Sequence, residues 1–171
     1  MPTHLFNPKR LNELEELLEI EYEKSHEFEK EIGLSDGSSR ITLKQRFKRD
    51  VTPRLRALEQ EYAEMLVAGV PSGGIPEAEA DSIVNELTVA TNTILERAPS
   101  DAPQEMVRLL GEIKDKLSEP DAAASNKLKV SLPIIPAICS YEIEIETAGL
   151  MKKVWRKSRD FFKGLVADRP Q

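Results

Sequence analysis

Apolar residues recur along the start of the chain at three- and four-residue steps: Leu11, Leu14, Leu18, Tyr22, Phe28 and Ile32, with Ser25 in the same stripe. That spacing puts them on one face of an α-helix. Pro8 opens the run at a position where a missing N–H costs nothing, and Gly33 closes it. Residues 33–40 (GLSDGSSR) are turn chemistry, and beyond them Leu43, Phe47, Val51, Leu55, Leu58, Tyr62 and Leu66 form a second stripe of similar length. Two long amphipathic arms with a short connection lie antiparallel, so residues 8–68 are expected to form a helical hairpin. Pro53 interrupts the second arm by removing the bond to the Arg49 carbonyl, which predicts a bend or a restart capped by Thr52.

Residues 70–75 (VPSGGI) read as a linker. Pro76, Glu77, Glu79 and Asp81 then make a strong helix start, with acids at the positive end of the dipole. The third helix carries Ala80, Ile83, Val84, Leu87, Ala90, Ile94 and Leu95 and stops at Pro99; a fourth runs from Pro103 through Met106, Leu110, Ile113 and Leu117 to Pro120. Residues 76–118 are thus a second helical hairpin. The period then changes. Both 127–132 (KLKVSL) and 141–147 (YEIEIET) alternate polar with apolar, which predicts a β-hairpin in which Lys127 and Lys129 face Glu142, Glu144 and Glu146. A competing reading makes 121–132 a fifth helix ending before Pro133, because its alanines favour helix.

Residues 149–166 close the chain as an amphipathic helix. Leu150, Val154, Phe161 and Leu165 share one side, Trp155 and Phe162 flank it, and Lys152, Lys153, Arg156, Lys157, Arg159 and Lys163 lie opposite. The expected fold class is therefore mainly α: two antiparallel helical hairpins resembling a four-helix bundle, then a small β-hairpin and a basic C-terminal helix over 127–166. The 171 residues fit one domain.

Charge refines this picture. The chain is 32% charged and 5% aromatic, which suits exposed amphipathic helices better than a sheet-rich core. Glu19, Glu21, Glu23, Glu27, Glu29 and Glu31 end the first arm, while Arg40, Lys44, Arg46, Lys48, Arg49, Arg54 and Arg56 begin the second, so the turn brings opposite charges together. Each exposed pair contributes roughly 0.2–1 kcal/mol, so charge selects orientation while the apolar seam supplies stability. A net charge of −6 opposes general nucleic-acid binding. The longest apolar run, 128–139, carries Lys129 and is broken by Pro133 and Pro136, well short of the ~20 residues a transmembrane helix requires. One cysteine, Cys139, and an N-terminus (residues 1–6) unlike a signal peptide point to a reducing, cytoplasmic setting.

Candidate chemistry is sparse. Glu23 and His26 have the Glu-x-x-His spacing of carboxylate-bridged di-iron bundles, but such sites use two copies and the other histidine, His4, precedes the helices. Cys139 has no histidine near it in sequence and reads as a buried thiol. Ser72-Gly73-Gly74 follows no strand and precedes no Walker lysine, so it reads as a hinge. No catalytic residue, metal site or cofactor is expected. The C-terminal helix has no adjacent acidic arm, and its Lys152, Lys153, Trp155, Arg156, Lys157, Arg159, Phe162 and Lys163 form a candidate partner or membrane surface.

The run Leu132-Pro133-Ile134-Ile135-Pro136, the segment 140–147 (SYEIEIET) and the basic Trp-containing helix together resemble the tails of small helical modules in bacterial, notably cyanobacterial, signalling proteins. Those modules accompany NACHT or other STAND-type NTPases, TIR domains or caspase-like effectors. The resemblance covers about 40 of the 171 residues and carries no catalytic motif. It implies a non-enzymatic adaptor that engages another protein, such as a signalling NTPase or effector, or a second copy of itself. The alternative is a membrane-engaging helical effector using the C-terminal helix.

Overall fold

The first arm is helical throughout. The computed structural model describes residues 6–168 except 72, 146 and 148, with the side chains of 143 and 144 also left out. Helix α1 (Pro8–Leu34) begins at Asn7, whose Oδ1 accepts from the Lys9 and Arg10 backbone N–H groups at 3.1 and 3.3 Å. It runs straight through Gly33, and the turn is reduced to Ser35 and Asp36 before Gly37, at φ +55°, opens α2 (Gly37–Asp50). The second arm breaks at Val51 and restarts as α3 (Thr52–Gly69), with Pro53 in its first turn, where proline is tolerated. Thr52 is not the cap: its buried hydroxyl has no hydrogen-bond partner among the described residues.

Arm pairing is antiparallel, as Arg10 with Glu61 at one end and Glu21 with Arg54 nearer the other show, each at 2.7 Å. The second hairpin consists of α4 (Glu77–Arg97) and α5 (Gln104–Leu117). Ser72 of the glycine linker lies outside the described residues, as does His4; Gly73 takes the left-handed conformation, φ +71°.

The β-hairpin is absent. Among the described residues there is no strand, and the segment expected to supply it forms three short helices, α6 (Ala124–Ser131), α7 (Ile135–Cys139) and α8 (Glu142–Ile145). Periodicity explains the difference. Leu128, Ser131, Leu132, Ile135 and Ile138 are all fully buried, and their spacing is that of a helix, whereas Val130, which an alternating strand would place with Leu128 and Leu132, is 48% exposed. Pro136, expected in the loop of the hairpin, occupies the first turn of α7 instead, where proline is tolerated. The expected cross-strand pairing of Lys127 and Lys129 with Glu142 therefore does not form; the Glu144 side chain and Glu146 lie outside the described residues.

Glu142 has a different task. Helix α9 (Leu150–Ala167) starts at Gly149, φ +69°, which has no side chain to cap it. The buried Glu142 carboxylate fills that role from α8, accepting from the Met151 N–H at 3.1 Å, the Lys152 N–H at 2.7 Å and the Thr147 hydroxyl. It satisfies two of the orphan donors of the helix and sets a carboxylate against the positive end of the dipole. Glu142→Ala is expected to lower stability by about 1–2 kcal/mol, as loss of a cap does. Urea unfolding followed by circular dichroism measures this, with Glu142→Gln falling between.

One apolar core runs through both hairpins and the tail. Helices α7 and α9 lie at its centre: α9 packs on α3, α4 and α7, while α7 also packs on α3 and α5. The tail thus joins the two hairpins. No helix among the described residues is long and apolar enough to cross a membrane.

Candidate functional site

The C-terminal helix turns one face inward, carrying Met151, Val154, Trp155, Ser158 and Phe162. Trp155 is 2% exposed and Phe162 is fully buried, so the two aromatic members of the expected partner surface belong to the core. Three of its six cations meet acids from distant parts of the chain. Lys152 pairs with Glu29, Lys157 with Glu86, and Lys163 with Glu15 at 3.7 Å; Arg159 lies 5.7 Å from the centre of the Tyr22 ring and bonds to Asp160. Lys153 and Arg156 remain exposed. The acidic first arm therefore serves α9, through Glu15 and Glu29, as well as α3, through Glu21.

Between α1 and α9 these side chains span a cleft. Its outer part, about 770 Å³, runs past Glu15, Glu19, Glu23 and Glu27 on α1 and Arg159, Asp160 and Lys163 on α9. Tyr22, His26 and Arg159 separate it from an inner chamber of about 230 Å³ that reaches Glu59, Cys139 and Trp155. A relay of hydrogen bonds crosses this wall. The Tyr22 hydroxyl donates to Glu59 Oε2 at 2.7 Å, and receives from Trp155 Nε1 at 3.2 Å and from Arg159 Nη1 at 3.4 Å. Three helices, α1, α3 and α9, are thus tied at one point.

Burial sets the chemistry here. Glu59 is 5% exposed, and loss of solvent pushes its carboxyl up to about 7 against the pull of the Tyr22 bond and the Lys152 and Arg159 charges. The Tyr22 phenol is pushed upward too, first by burial and then by the Glu59 charge, so it stays a proton donor. Burial likewise raises the Cys139 thiol well above its ordinary value, which keeps it protonated and a poor nucleophile. Glu23 and His26 are exposed on the cleft wall. Among the described residues, no three or more His, Cys, Asp or Glu side chains converge as a metal ion would require.

Glu59 was hidden by its type, not its position. It lies four residues after Leu55 and three before Tyr62, inside the apolar stripe of α3, just as Glu21 and Ser25 continue the stripe of α1. A carboxylate in register with an apolar face is the signal that marks it.

The tip of the first hairpin is built separately. Ile32, Phe47 and Val51, with Phe28 and Leu43 against them, form a small cluster apart from the main core, and the Phe28 and Phe47 rings meet edge to face at 5.9 Å. Flanking the turn, Leu34 is 82% and Ile41 60% exposed. Helix α2 beside them carries Arg40, Lys44, Arg46, Lys48 and Arg49 against a single acid, Asp50.

Comparison with protein-family models, curated proteins and solved structures finds no match to the chain.

Proposed function

We propose that this protein is a non-enzymatic interaction module whose contact element is the tip of the α1–α2 hairpin, engaging an acidic, amphipathic segment of another protein. The carrying observation is the pair Leu34, which ends α1, and Ile41 on the basic α2, the most exposed large apolar side chains next to a turn, beside a small core of their own. Apolar anchors beside a basic helix match a helix with acidic flanks, charge setting orientation and apolar contact supplying affinity. The resemblance of the tail to adaptor modules supplies the partner class, a signalling NTPase or effector, and the single buried thiol at Cys139 accords with a reducing, cytoplasmic setting. Docking on lipid through α9 is less well supported, since Trp155 and Phe162 are buried where a membrane anchor would need them exposed.

The test is a double variant, Leu34→Glu with Ile41→Glu. Chemical cross-linking of the native complex should report loss of association with the partner, by at least about tenfold. Melting temperature should hold, because neither side chain is buried. Association unchanged in the variant would place the contact elsewhere.

A further inference from the structure

We propose that the inner chamber between α1, α3 and α9 binds a small zwitterion of the amino-acid class, its ammonium against Glu59 and its carboxylate against Arg156. Both residues line this one space of about 230 Å³. That is the volume of roughly eight waters, which admits a short amino acid and excludes a peptide.

The charges of the chamber are arranged in two unmatched ends. At the inner end, the Glu59 carboxylate accepts from the neutral Tyr22 hydroxyl and forms no ion pair among the described residues. The nearest cations are engaged elsewhere, Lys152 with Glu29 and Arg159 with the Tyr22 ring and Asp160. Lys152 and Arg159 act on Glu59 only through space, so its buried carboxylate lacks an ion pair in contact, and an ammonium placed beside it would recover part of the cost of burial. At the mouth, Arg156 is exposed and likewise forms no ion pair among the described residues, leaving a guanidinium fork suited to a carboxylate. A simple amine would meet the like charge of Arg156 on entry, and a simple carboxylate would meet Glu59 within. Only a ligand bearing both signs satisfies both ends.

Proton linkage gives the site a signature. Because Glu59 must ionise to receive an ammonium, and burial holds its carboxyl near 7, affinity should rise about tenfold from pH 6 to pH 8.

Titration of the full chain with glycine, β-alanine and 4-aminobutyrate, followed through the Trp155 indole N–H resonance, tests the proposal, with propylamine and propionate as single-charge controls. At least one zwitterion should bind at pH 8 at least about tenfold more tightly than either control, and Glu59→Gln and Arg156→Ala should each weaken it by a similar factor. Glutamine still accepts the Tyr22 bond and Arg156 is exposed, so both variants should keep their fold, which their melting curves verify. No zwitterion binding up to about 10 mM, equal binding of a control, or variants without effect would each overturn the proposal.

Discussion

Trp155→Ala is expected to destabilise the protein by about 3–5 kcal/mol, the range for removing a buried aromatic side chain. Trp155 is 2% exposed at the centre of the joining helix, and α9 packs on α3, α4 and α7, so the cavity would open where both hairpins meet. The loss also strips the Tyr22 hydroxyl of its indole donor. A protein of this size is held by about 5–15 kcal/mol, and each kcal/mol corresponds to about 2–4 °C, so the melting temperature should fall on the order of 10–15 °C. Trp155→Phe keeps most of the packing, drops the donor, and should cost about 1–2 kcal/mol. Lys153→Ala and Arg156→Ala, both exposed, should stay within about 0.5 kcal/mol of the parent. A Trp155→Ala protein that melts with the parent would return the indole to the surface.

The second large effect is a pH dependence carried by Glu59. In the folded state its carboxyl titrates near 7 because burial disfavours the charge, whereas in the unfolded chain it takes the ordinary value of 4.5. Between those values the folded state binds more protons than the unfolded state, so stability falls as pH rises from about 4.5 to about 7 and is level above. The span corresponds to about 3 kcal/mol. Glu59→Gln removes the titration while leaving an acceptor for Tyr22. The stability difference, parent minus variant, should therefore shift by about 3 kcal/mol against the parent between pH 4.5 and pH 8. Urea melts at a series of pH values read it directly. A difference constant across that range would mean that Glu59 is solvated in the folded protein.

Long amphipathic segments were legible in the sequence because their stripes repeat over many turns: α1, α4 and α5 follow the expected apolar positions, α9 is helical where expected but buries the flanking Trp155 and Phe162 more fully than Leu150, Phe161 and Leu165, and the break beside Pro53 falls where its missing N–H demands one. Short segments misled. Six alternating residues from Lys127 fit a strand and a helix about equally well, and burial on all sides of Leu128, Leu132, Ile135 and Ile138 removed the one-faced pattern that separates the two. The partners of α9 were not legible at all, since Lys152 meets Glu29 and Lys163 meets Glu15 across more than a hundred residues of chain. Electrostatic matching at that separation follows from the tertiary arrangement, which local pattern does not encode. The turn was shortened for a simpler reason: glycine at position 33 is compatible with helix at modest cost, so it did not end α1.

The position of α9 also fixes an order of assembly. Its contacts reach back to α1, α3 and α4, so they close loops far longer than any inside either hairpin, and closure entropy grows with loop length. The first hairpin can zip from its own turn, and the second from the 98–103 connection, as each emerges during synthesis. Their union needs α7 and α9, which pack on both, so a ribosome-bound chain that has not yet released these two helices holds two half-finished hydrophobic faces for chaperones to shield.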